Sequence, residues 1–366
     1  MVGIVLALLV GCSPAGHSDQ PVLASISHCG QGWSPSSAGP QRLLIHNADT
    51  RPGEVMLTGA ATGAVFGYLE PLAAGTTAEL TADLGPGRYR LRCAMEDESV
   101  VDGPVVTIHG PAGATTRGVI PVSQADLIKA TQQYQAYVTG QLPALARQTD
   151  TLAADIGRGD LAAARRDWLP AHLSYERLGA AYGAFGALDT VINGTTAGLP
   201  GGRADTHWTG FHRLEYGLWH GQSSSELVGV AAALDRAVRR LTPTFAHAQI
   251  KPSEVAIRAH EITENAIQFE LTGRTDYGSH SNLATVAANL AGTRIVLGLL
   301  RPLLAGRYPD LARTYAALAA AQRAAAGPRA LSSLTRSQRE NLNARLGALV
   351  ELLAPVAEIC EPRRTS

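Results

Sequence analysis

Net charge is the first thing this sequence lacks. Its 366 residues carry 31 Lys and Arg against 31 Asp and Glu, and charged residues make up only 17% of the chain. A chain so balanced does not bind nucleic acid through bulk electrostatics. Nor does it have the composition of a disordered protein, because 45% of it is hydrophobic. The 38 glycines and 20 prolines follow no collagen-like period. Past the N-terminus no uncharged apolar stretch reaches the ~18 residues that a membrane-spanning helix needs. What remains is enough chain for two domains, each able to bury a core.

The chain opens Met1-Val-Gly-Ile-Val-Leu-Ala-Leu-Leu-Val-Gly11-Cys12. An apolar run of about ten residues is too short to cross a bilayer as a helix but suits the apolar region of a secretory signal. Leu9-Val10-Gly11-Cys12 resembles a bacterial lipobox, so residues 1–12 are expected to be a lipoprotein signal ending at Cys12, which would carry a diacylglycerol. The mature protein is then exported and anchored to the cell membrane, facing the cell envelope or periplasmic space. No Lys or Arg precedes the apolar run, which departs from that pattern. The alternative is an ordinary secretory signal. Either way the compartment is oxidising, and with Cys12 lipidated, Cys29, Cys93 and Cys360 remain, an odd number.

Two halves with different periods follow. From 20 to 110 short β-type runs alternate with turn residues, among them Arg42–His46, Glu54–Thr58, Ala64–Tyr68, Thr77–Thr81, Arg88–Arg92 and Val105–His109. Tyr89, Leu91 and Cys93 share one face of their strand. Six or seven such strands read as a β-sandwich. Residues 111–122, rich in Gly, Ala and Thr, read as a linker. Ser123-Gln-Ala-Asp126 is a helix-start signal, and from there to 358 the chain is Ala/Leu/Arg-rich with helical periodicity. Helices are expected around Leu142–Ile156 and Leu161–Leu178, and over 208–220, 224–241, 253–271, 282–305, 309–325 and 335–358. The fold class is therefore multidomain, a β-sandwich followed by an all-α bundle. Neutrality conceals a mild asymmetry: residues 20–122 hold 6 basic and 9 acidic residues, residues 123–366 hold 25 and 21.

The chemistry concentrates in the segment Trp208-Thr-Gly-Phe-His212-Arg-Leu-Glu215-Tyr-Gly-Leu-Trp219. His212 and Glu215, three apart, leave one helix face a turn apart, and such a pair can chelate one cation. By itself an HxxE pair is more readily a surface ion pair than a metal site. The surrounding sequence, however, resembles the imelysin-like EfeO-type iron-uptake lipoproteins. Similar to that family are the blocks Trp168-Leu-Pro-Ala-His172-Leu-Ser-Tyr-Glu176, Phe185-Gly-Ala-Leu-Asp189, Glu261 through Asp276-Tyr-Gly-Ser, and Asn282-Leu-Ala-Thr-Val-Ala-Ala-Asn289. The order agrees over about 123–358, an imelysin-like helical metal-binding domain.

The resemblance implies His212, Glu215, Glu176, Asp189 and Glu270 as metal-ligand candidates. Glu264 and Glu270, six apart on a helix, are not expected to enter one site together, and Glu264 reads as an exposed charge. His172 and His220 read as surface residues, with support of the ligands from behind as the alternative, and Trp168, Trp208, Phe211, Tyr216 and Trp219 read as core. An imidazole with carboxylates suits ferric or ferrous iron, Mn or Zn better than cuprous copper; the choice of iron, with Zn or Cu as lesser cofactor candidates, comes from the resemblance. It also implies partners: an iron permease and an exported dye-decolourising-type haem peroxidase, as in an EfeUOB-like iron uptake system.

The region 20–110 resembles the cupredoxin-like domain found in longer members of that family, with His28-Cys29-Gly-Gln-Gly-Trp33 and Cys93-Ala-Met-Glu96 as its marks. Met95 follows Cys93 too closely and His109 too distantly for a blue-copper loop. Two readings of Cys93 stay open: a disulfide with Cys29, or a second metal site with Glu96. Cys360 is the remaining thiol.

Two further functional readings remain beside iron capture. Imelysin-like proteins have been classed with peptidases, which makes a zinc-dependent metallopeptidase the alternative, although neither H-E-x-x-H nor H-x-x-E-H occurs. The other is a surface module binding a polyanion or polysaccharide.

Overall fold

The computed structural model describes residues 20–363 apart from 35, 36, 112, 114, 328 and 329; the lipobox and Cys12 lie outside the described residues. The chain divides into two units, one running to Pro121 and taking in Arg363, the other Val122–Pro362.

The first unit holds two sheets. β1 (Val22–Ala24), β2 (Gly39–Asn47) and β5 (Thr77–Leu84) form one, with β1 parallel to β2 and β5 antiparallel to it. The other is built from β3 (Gly53–Gly59), β4 (Val65–Leu72), β6 (Gly87–Met95), β7 (Val101–Asp102) and β8 (Val106–Ile108), with β3 and β6 at its centre. Alternation in the sequence sets the inner face: Tyr89, Leu91 and Cys93 are all buried in one core with Ile45, Val55 and Leu84. Cys29 and Cys93 form a disulfide within this core, across 64 positions of chain. That corrects the second-metal reading of Cys93: its sulfur is spent on Cys29, while Glu96 is exposed. The nearby acids are paired as well, Glu98 with Arg51 and Asp102 with Arg92 at 2.6 Å. The segment expected as a linker pairs with this unit, Val119 with Val65 and the Thr116 amide donating to Asp83 O at 2.7 Å.

The second unit is all helix. A reciprocal Ser123/Asp126 capping box starts α1 (Gln124–Gly157). There follow α2 (Leu161–Glu176), the short α3 (Tyr182–Phe185) and α4 (Ala187–Asn193), α5 (Gly210–Trp219), α6 (Ser224–Ala246), α7 (Pro252–Asn265), α8 (Asn282–Leu304), α9 (Leu311–Ala325) and α10 (Arg336–Ile359). α6 runs five residues past the expected end, through Pro243, because Phe245 is buried in the core and offsets the backbone bond that proline removes. α1 packs on α2 and α6, and α7 packs on α8 and α10. α8 is apolar enough in length and composition to cross a membrane, yet most of it is buried inside the bundle. Its polar positions Asn282 and Asn289 are buried too, and buried amides demand partners. Those partners are the site.

Candidate metal centre

A cavity of about 540 Å³ opens into the bundle, and Glu176, His212 and Glu270 all line it. Each arrives from a different helix. Glu176 is the last residue of α2, which is drawn inward by Trp168, whose ring nitrogen donates to Phe211 O at 2.9 Å. His212 lies on α5, and the entry to that helix is a backbone contact. Gly210 has φ +84°, and a Cβ there would stand 2.2 Å from Ile192 O, so only glycine fits. Glu270 ends a five-residue π-helical turn, Ala266–Glu270, that continues α7. The wider turn changes the phase that α-helical spacing assumes. Glu270 therefore faces the cavity, while Glu264 pairs with His260 at 3.6 Å and does not line it.

The carboxylates are held by asparagines. Asn289 donates to Glu176 Oε2 at 2.7 Å and Asn193 to Glu176 Oε1 at 2.8 Å. Asn282 donates to Glu270 Oε2 at 2.8 Å and the Thr275 hydroxyl to its Oε1 at 2.6 Å. His172 Nε2 lies 3.1 Å from Glu176 Oε1. The expectation that His172 is a surface residue is thus wrong: it is 2% exposed, because Trp168 and Phe211 pack on its ring and its i+4 partner points inward. Its Nδ1 has no hydrogen-bond partner. His220 is at the surface as expected, stacked on Tyr216.

Burial and charge split the two acids. Burial works against ionising Glu176, but the contacts from His172, Asn289 and Asn193 outweigh it and bring its pKa down to about 2. Glu270 goes the other way. Burial, then the negative charge of Glu176, push it up to about 7 against the help of Thr275 and Asn282. The cavity thus holds one firm anion and one acid that keeps its proton toward neutrality, a pair that an incoming cation would relieve.

Glu215 is close by but differently engaged. It is 1% exposed and does not line the cavity. Its Oε1 accepts from the amides of Tyr277 and Ser279, each at 3.1 Å, and from the Ser279 hydroxyl at 2.5 Å; its Oε2 lies 3.4 Å from His212 Nδ1. Glu215 therefore ties the 276–279 loop to α5 and fixes the His212 ring from behind. Asp189, on α4, accepts from the Tyr175 hydroxyl at 2.5 Å, is raised by burial, and also lies off the cavity. Of the five candidates the fold brings three to one cavity. Among the described residues no three of His, Cys, Asp and Glu converge closely enough to hold one ion.

Asn193, Asn282 and Asn289 were not singled out as candidates. The signal was present for two of them: asparagines seven apart on an otherwise apolar helix share its buried face.

The chain, through the helical unit with its pocket of buried carboxylates, belongs to the imelysin family. The family model described as Imelysin, a peptidase-named family, matches residues 130–356. Relatives extend over nearly the whole chain. The iron uptake system component EfeO of Escherichia coli (strain K12) is 27% identical over 361 residues, 96% of this chain and 94% of its own. Those named EfeO in Yersinia pestis and Yersinia pseudotuberculosis serotype I are 27% and 28% identical over 325 residues, 87% of this chain and 84% of theirs.

Proposed function

We propose that this chain is the exported iron-binding component of an iron uptake system, anchored through lipid at Cys12, and that it captures iron in the helical cavity and passes it to a membrane permease. The observation that carries this reading is the convergence of Glu176, Glu270 and His212 on one cavity in a chain whose relatives are named as iron uptake components. Two carboxylates and an imidazole are a donor set for iron, Mn or Zn. Glu215 and Asp189 act from behind, Glu215 on His212 and Asp189 on Tyr175. Binding and release suffice for this role, and no turnover is required. An exported haem peroxidase of the dye-decolourising type is a further partner under this reading.

Titrating ferrous iron without oxygen, ferric iron and zinc into the mature protein tests it. Iron should raise the melting temperature of the wild type and fail to do so in His212→Ala/Glu176→Gln. Stabilisation that survives in the double variant would remove the cavity from the account. Zinc-dependent casein cleavage lost in Glu215→Gln would instead favour the peptidase reading that the family name invites.

A further inference from the structure

The cavity holds more than an ion needs, and the surplus has a sign. About 540 Å³ is space for roughly fifteen waters beyond one metal, by the ~30 Å³ that each occupies in the liquid. Two of the lining residues are arginines, Arg258 and Arg274. Guanidinium groups in a pocket for bare cations repel the cargo and weaken its capture. Arg258 is half-buried and donates to Glu261 at 2.6 Å. Arg274 is exposed, and its side chain makes no hydrogen bond or ion pair among the described residues. It sits immediately after the turn that carries Glu270: its amide donates to Phe269 O at 3.0 Å, and the next residue, Thr275, grips Glu270. An unpaired, forked cation thus lines the same cavity as Glu270, on a backbone held four residues further along the chain.

The geometry points to a ferric complex of a small polycarboxylate, rather than the naked ion, as the cargo of this cavity; the inference rests on the iron-binding reading above. Glu176, Glu270 and His212 line the cavity but do not converge closely enough to hold one ion among themselves, so a bound metal needs further donors from another ligand. The chelator supplies those donors with some of its carboxylates. The others meet Arg274 and Arg258, whose planar forks match a carboxylate two bonds at a time. Charge closes as well: the chelate brings the anionic group that Arg274 lacks and a second one for Arg258 beside its Glu261 partner, and the metal brings positive charge to Glu176 and Glu270.

The probe is ferric citrate with the citrate radiolabelled, applied to the mature protein, to Arg274→Gln and to Arg274→Lys, with ferrous sulfate under anaerobic conditions as the second arm. Tryptophan fluorescence reads affinity, and desalting reads what stays bound. Citrate should remain with iron one to one on the wild type. Arg274→Gln should weaken ferric citrate about tenfold, and Arg274→Lys, which keeps the charge but not the fork, should weaken it less. Ferrous iron should bind Arg274→Lys within about twofold of wild type and Arg274→Gln no more weakly than wild type, since the repelling charge is gone. Because Arg274 is exposed and unpaired, its variants should melt with the wild type. Iron retained without citrate, phosphate or carbonate serving equally in place of citrate, or equal losses in both arms would overturn the inference. If ferrous iron binds and ferric citrate does not, the inference alone falls. If neither binds, the iron-binding reading falls with it.

Discussion

Asn289 and Glu176 lie 113 positions apart in the chain, yet the amide of one donates to the carboxylate of the other at 2.7 Å with both side chains buried. One turn-pair earlier on α8, Asn282 does the same for Glu270. A single apolar helix therefore supports both acids of the cavity, and its two asparagines explain why a buried anion is tolerated at all.

Removing one of these amides should be costly. Asn289→Leu leaves Glu176 with Asn193 and His172 only, and a hydrogen bond to a buried charged group contributes about 1.5–3 kcal/mol. Thermal unfolding at pH 7 should show a loss of that order, together with weaker iron binding. Asn289→Asp should cost more, since it sets a second carboxylate against Glu176. A variant as stable as the wild type would mean that Glu176 does not depend on α8.

Gly210 carries a different kind of constraint. At φ +84°, with Ile192 O lying 2.2 Å from any added Cβ, Gly210→Ala must push α5 away from α4. A strained left-handed residue costs about 1–3 kcal/mol before the clash is counted. His212 is two residues further on, so the variant should lose iron affinity as well as stability. A control, Gly229→Ala inside α6, has open space around it and should leave iron affinity unchanged while raising stability by about 0.5–1 kcal/mol. Equal behaviour of the two variants by calorimetry would refute this.

Much of the fold could be read from periodicity. The switch from strands to helices near residue 122, and every helix longer than eight residues, follows from apolar spacing and caps, because long amphipathic elements declare themselves. The short α3 and α4 did not, since four and seven residues carry too little pattern. At the site, His212, Glu176 and Glu270 were legible through the resemblance of their surrounding blocks. Which of the candidates reach the cavity was not legible. Glu270 depends on a π-helical turn that α-helical counting misplaces, and Glu215 is claimed by the amides of Tyr277 and Ser279, more than sixty positions away. His172 looked like a surface residue because nothing in its own helix says that Phe211 covers it.

The divided acids make stability and metal binding respond to pH in opposite directions. Glu270 has a folded pKa of about 7 against an ordinary 4.5, so between those values the folded chain holds a proton that the unfolded chain has released. Stability from this group is present below pH 4.5, declines as pH rises to 7 and stays lost above it. Glu176, lowered to about 2, contributes stability above 4.5 and loses it only as pH falls toward 2, so this window belongs to Glu270 of the two. Glu270→Gln should flatten the metal-free melting curve between pH 5 and 7 and raise the melting temperature at pH 7.5, with a ceiling of about 3 kcal/mol. The amide can be accommodated because Asn282 Oδ1 has no partner and can turn to accept from it. Iron reverses the trend. A metal bound to Glu270 must displace that proton, so the apparent affinity of the wild type should climb by about one decade per pH unit up to 7 and then level. In Glu270→Gln that slope should become shallower, keeping only the part that comes from the other ligands, and part of the affinity should be lost. An affinity for ferrous iron that stays constant from pH 5 to 7 in the wild type would show that Glu270 is not a ligand.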